Sequence, residues 1–67
     1  MNYGYSFWVA TNKLPLVQRA VKKTIDGRFT RKPMSCGAKT LVDVGFPNIE
    51  EFNWFTVVVE IIKQPFV

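Results

Sequence analysis

The sequence predicts an α+β fold, a single small domain with a three-stranded mixed sheet and one amphipathic helix on one face. Three observations carry that expectation. Runs rich in β-branched and aromatic residues occupy both ends of the chain, an apolar stripe with helical spacing lies between them, and turn residues separate the runs. At 67 residues the chain has room for one domain, 1–67.

The first strand runs from Tyr3 to Ala10. Alternation puts Tyr3, Tyr5, Phe7 and Val9 on one face and Gly4, Ser6, Trp8 and Ala10 on the other. Residues 11–15 punctuate. Asn12 is the expected N-cap, and Pro15 suits a first helical turn, where its missing N–H costs nothing. Val17, Ala20, Val21, Thr24 and Ile25 then recur at helical spacing, with Gln18, Arg19, Lys22 and Lys23 opposite. Gly27 is placed to end the helix in a left-handed C-cap.

From Arg28 to Cys36 no period is sustained, and Pro33 and three basic residues interrupt. A basic loop over about 28–38 is expected, with a brief extended piece at Phe29 and Thr30. Lys39–Val44 alternates as a second strand, and Gly45-Phe46-Pro47-Asn48 signals a turn. Asn48, with Glu51 three residues on, resembles a capping pair and predicts one helical turn over Ile49–Phe52.

The stretch Phe52–Ile62 then reads as the third strand, uninterrupted by Gly or Pro until Pro65 ends it. A right-handed crossover through the helix makes the first two strands parallel, and the short turn makes the last two antiparallel. The order 1-3-2 centres the most apolar strand. The helix then covers Tyr5, Phe7, Val9, Phe55, Val57, Val59 and Ile61 with Val17, Val21 and Ile25. Ser6, Trp8, Trp54, Thr56, Val58 and Ile62 are left on an uncovered sheet face.

The chemistry is narrowed by what the chain lacks. With no histidine there is no Ser–His or Cys–His pair and no histidine metal ligand. Cys36 stands near cations that favour a thiolate, but no base is positioned to activate it. Gly37-Ala38-Lys39-Thr40 is a poor phosphate loop, because the earlier glycine is missing and a strand follows in place of a helix. Asp43, Glu50, Glu51 and Glu60 form no carboxylate pair. The expectation is therefore no enzyme, no cofactor, no metal and no small-molecule substrate.

A lone cysteine allows no internal disulfide and suits a reducing cytoplasm. The apolar N-terminal run has no basic leader and is too short to span a bilayer, and Thr56 and Glu60 interrupt the C-terminal one, so no membrane segment is expected.

Charge is placed unevenly. The formal net charge is +4. Residues 13–39 hold Lys13, Arg19, Lys22, Lys23, Arg28, Arg31, Lys32 and Lys39 against Asp26 alone, while residues 1–12 carry no ionisable side chain except tyrosine. Such asymmetry suits an anionic partner.

The expected function is a small binding or regulatory protein that docks onto a protein partner or self-associates. Its contact residues are Trp8, Trp54, Thr56, Val58 and Ile62, and Arg19, Lys22, Lys23, Arg28, Arg31, Lys32 and Lys39 form a basic patch. The alternative is a sequence-tolerant binder of RNA or single-stranded DNA, stacking bases on the tryptophans and holding phosphates with the same cations. A cationic helix face that points away from the tryptophans weighs against that alternative.

Overall fold

The structure, a computed structural model, describes residues 3–65. It is α+β, with two helices packed on one face of a four-stranded antiparallel sheet. The chain forms β1 (Tyr3–Ala10), a 3-10 turn (Thr11–Lys13), α1 (Leu14–Lys23), β2 (Arg28–Phe29), β3 (Met34–Cys36), β4 (Lys39–Phe46) and α2 (Ile49–Lys63).

The main departure from expectation is α2. Phe52–Ile62 is not a strand but most of a fifteen-residue helix. Its start is capped as the sequence suggests: the Glu51 N–H donates to Asn48 Oδ1 at 2.9 Å. The helix continues beyond that turn. Glu50 and Glu51 lie in its first turn and Lys63 in its last, matching the charges to the two ends of the helix dipole. Phe52, Phe55, Val59 and Ile62 supply an inward stripe. That stripe is hard to see in sequence because the outward positions are apolar too.

The sheet also has four strands where three were expected, and the two additional ones come from the expected basic loop. β2 and β3 lie in succession along the same edge of β4, with Arg28 opposite Gly45 and Cys36 opposite Lys39. Residues 30–33 interrupt them, where Pro33 lacks the N–H a ladder needs. Gly37, at φ 65°, turns β3 back into β4. A glycine at the first central position is what such a tight hairpin requires. This extra reversal makes β1 antiparallel to β4, not parallel, and puts β4 at the centre of the order β1-β4-β2.

Helix α1 begins at Leu14, with Pro15 in its first turn. Asn12 lies in the preceding 3-10 turn, and no side chain caps α1. The helix ends before Thr24, whose backbone is extended, and Gly27 does not adopt a positive φ. Gly27 is needed for space: a Cβ there would overlap the Phe46 ring and the Thr24 hydroxyl. Ile25, expected in the buried stripe, is instead exposed beyond the helix end.

The core lies between the layers. Phe7, Val9, Val42, Val44 and Phe46 rise from the sheet to meet Val17, Ala20 and Val21 of α1 and Phe55 and Val59 of α2. Phe55 is central, its ring centroid 5.1 Å from Phe46 and 6.0 Å from Phe7. Thr40 is the buried polar residue, and its hydroxyl is satisfied by Thr11 at 3.0 Å and Ser35 at 3.1 Å. Val57 and Ile61, expected in this core, point outward at 60% and 62% exposure. Strand parity predicted that all four of Phe55, Val57, Val59 and Ile61 would be buried, but a helix turns about 100° per residue and separates them.

Candidate functional site

The residues expected on one open sheet face are divided between two surfaces. Trp8 is on the open face, half exposed, as alternation along β1 predicts. Its register partner there is Leu41, and Leu41 is also opposite Met34, so the three form a row across β1, β4 and β3. Ser6 and Asp43 pair on the same face, the serine hydroxyl donating to the carboxylate. Trp54, Thr56, Val58 and Ile62 belong to α2, on the opposite side of the sheet. The two tryptophans therefore do not share a surface.

Three of the predicted contact residues remain together. Trp54, Val58 and Ile62 are spaced by four residues, so they stack along one side of α2. They meet Leu16, Ala20, Arg19 and Lys23 of α1 around a shallow cleft of about 300 Å³. Trp54 and Lys23 also border a second cleft of about 260 Å³ at the start of α2, lined by Thr24, Glu50 and Glu51. Trp54 thus divides one interhelical groove into an apolar half with a basic rim and a shorter half with an acidic end.

One side chain links the two helices at the acidic end of the groove. Glu51 accepts from the backbone N–H of Ile25 at 2.6 Å and of Asp26 at 3.4 Å. It also accepts from Asn48 Nδ2 at 3.4 Å. A carboxylate in the first turn of α2 therefore ties down the segment that follows α1. Thr56 faces away from the groove by helical spacing, and its hydroxyl donates to the Asn53 carbonyl at 2.9 Å.

Sequence reasoning missed Val57, Ile61 and Leu16. Trp54, Val57, Val58 and Ile61 recur at i, i+3, i+4 and i+7, the signature of a helical contact stripe. Most of it is uncovered: Trp54 is 43% exposed, and Val57 and Ile61 more so. The signal that could have found it is the cap at Asn48 followed by a run longer than most strands.

The basic patch is dispersed in the same way. Arg19 and Lys23 flank the groove. Lys22 and Arg28 border a separate cavity with Gln18, Val21 and Phe29 on the far flank of α1. Arg31 and Lys32 lie in the interruption between β2 and β3, and Lys39 lies beside Trp8, Ala38 and Cys36.

No protein-family model, curated protein or solved structure matches this chain. Its functional reading rests on geometry. Among the described residues no helix is long and apolar enough to cross a membrane, and no cluster of His, Cys, Asp or Glu could hold a metal ion.

Proposed function

We propose that this chain is a small non-enzymatic docking protein that receives an acidic amphipathic helix in the groove between α1 and α2. The observation that carries the proposal is the groove in which Trp54, Val58 and Ile62 face Leu16, with Arg19 and Lys23 on its rim and the exposed Val57 and Ile61 extending the apolar surface of α2 beyond it. A helix laid in a groove reads apolar anchors at i, i+3, i+4 and i+7, and the rim cations favour acidic flanks on the incoming segment. Trp54 occupies the position of an anchor, large, half covered and central to the groove. A regulatory role suits a small chain whose surface offers a docking groove. A cytoplasmic setting accords with the single exposed thiol of Cys36.

The nucleic-acid reading has weaker support. Single-strand binding needs aromatic platforms beside a continuous phosphate track. Here the tryptophans are on opposite sides and the cations are split among several surfaces.

Selection from a displayed library of helical peptides tests the proposal. Enriched peptides are expected to carry apolar residues at helical spacing with Asp or Glu on the flanks. Trp54→Ala should weaken them by about 2 kcal/mol or more, roughly thirtyfold in Kd, while Trp8→Ala leaves them unchanged. Binders indifferent to Trp54, or tight and steeply salt-dependent binding of single-stranded oligonucleotides in their place, would refute it.

A further inference from the structure

The two edges of the sheet are unlike each other. One is formed by β2 and β3, two and three residues long, separated by Arg31, Lys32 and Pro33. Short strands, charge and proline are the ordinary means by which an edge is kept from pairing with another chain. The other edge is β1, eight residues long and free of charge, proline and interruption. It has none of these protections.

The register says which of its backbone groups point outward. Thr11 N–H donates to Ala38 O at 2.8 Å, continuing the alignment of Val9 with Thr40. In an antiparallel ladder the bonded positions alternate, so Val9, Phe7, Tyr5 and Tyr3 turn their amides and carbonyls toward β4. On the far side of β4, Thr30 N–H donates to Asp43 O at 3.0 Å, which agrees with the same alternation. The N–H groups of Gly4, Ser6, Trp8 and Ala10, and the carbonyls of Gly4, Ser6 and Trp8, therefore face away from the sheet along its open edge.

We infer that this edge is the seam of a symmetric dimer, in which β1 of one copy pairs antiparallel with β1 of a second and the two sheets become one. A two-fold contact requires a patch that complements itself. With Phe7 on the axis, Ser6 is opposite the partner's Trp8 and Gly4 opposite the partner's Ala10, so outward donors meet outward acceptors along the strand. This register keeps odd residues with odd, so the helices of both copies stay on one side. Phe7 and Val9 are already buried within each copy, so the side chain that gains most is Trp8, half exposed on the open face and set beside the partner's Ser6 as a cross-strand neighbour.

Charge selects a second copy over a foreign peptide. Two molecules of net charge +4 repel, and β1 lies in the stretch of chain with no ionisable side chain except tyrosine, so they can meet there with no like charges opposed. The same neutrality gives a charged peptide nothing on the strand to pair with. A further strand pair also supplies burial to a chain of 67 residues that has one cysteine and hence no internal disulfide.

The test is sedimentation equilibrium across a concentration series, with amide hydrogen exchange on the same samples. The expected mass is that of a dimer. Exchange at Ser6, Trp8 and Ala10 should slow with the paired fraction, about tenfold when nine molecules in ten are paired, while Phe7 and Val9 are protected throughout. Ser6→Pro removes one outward donor at an edge position where proline is tolerated, and should give a folded monomer; Ser6→Ala should remain dimeric. If Ser6→Pro fails to fold, the exchange pattern of the unaltered chain decides. A monomer at every soluble concentration overturns the inference. So does a dimer whose Ser6 and Trp8 amides exchange freely, or one that Trp54→Ala disperses, which would place the seam in the helical groove. Loss of peptide binding to that groove leaves the edge dimer standing, so the two ideas fail separately.

Discussion

Val57 and Val59 are the same residue type two positions apart, and they should respond very unequally to truncation. In a strand they would share a face and lose equal stability. In α2 they are separated by about 200° around the axis. Val59 is completely buried, against 60% exposure for Val57. Val59→Ala removes two methyl-sized groups from burial, about 1.6 kcal/mol at roughly 0.8 kcal/mol each, and the cavity left behind raises the loss to about 2–3 kcal/mol. Alanine's better helix propensity returns about 0.5 kcal/mol, leaving a net loss near 2 kcal/mol. At Val57 the same truncation gives up about 0.6 kcal/mol of partial burial, which that propensity gain offsets. Urea denaturation and thermal melting, each followed by far-ultraviolet circular dichroism, measure both. The midpoint melting temperature of Val59→Ala should fall by about 8–16 °C and that of Val57→Ala should stay within a few degrees, using roughly 4–8 °C per kcal/mol for a domain this size. Equal losses at the two sites would refute the helical assignment of 49–63 and the exposed stripe built on it.

Two further substitutions test how the groove is framed. Gly27→Ala should destabilise by about 1–3 kcal/mol through overpacking against Phe46, without strain in φ, so a Gly27→Ala protein as stable as the parent would show that the chain after α1 is not held against Phe46. Asn48→Ala removes the acceptor for the Glu51 N–H and should cost about 1 kcal/mol in the same urea experiment. No loss there would mean that α2 does not depend on its cap.

Legibility in the sequence followed the strength of the local period. β1 was readable from its aromatic and β-branched residues at alternate positions, and the buried Val17, Ala20 and Val21 of α1 from the polar Gln18, Arg19, Lys22 and Lys23 opposite them. The α2 segment was not, because apolar residues surround it and periodicity cannot distinguish a buried strand from an all-apolar helix. The residues that favoured a helix lay at its ends: Asn48, Glu50, Glu51 and Lys63. β2 and β3 were illegible for a different reason. Strands of two and three residues are too short for any period, and Arg31, Lys32 and Pro33 give their surroundings the composition of a loop. Missing that edge had a further consequence: β2 and β3 run in the same direction and the hairpin after them reverses the chain once, so overlooking it turned an antiparallel neighbour into a parallel one.

Three residues of the expected contact surface stay together despite that error for a reason of arithmetic. Residues four apart share a face in a strand, where the period is two, and nearly share one in a helix, where it is 3.6. Trp54, Val58 and Ile62 are spaced by four, so they are neighbours under either assignment. Thr56, two residues from its neighbours in that set, stays with them only in a strand and leaves in the helix. Val57 and Ile61 make the reverse move, from the expected core to the surface. That reversal strengthens the case for docking. A strand buried on one face accounts for Val57 and Ile61 by packing alone. A helix that buries Phe55 and Val59 gives no packing reason for β-branched residues on its outer side, where alanine, glutamate or lysine would support the helix better. The stripe that the fold does not require is the surface on which the proposed docking rests.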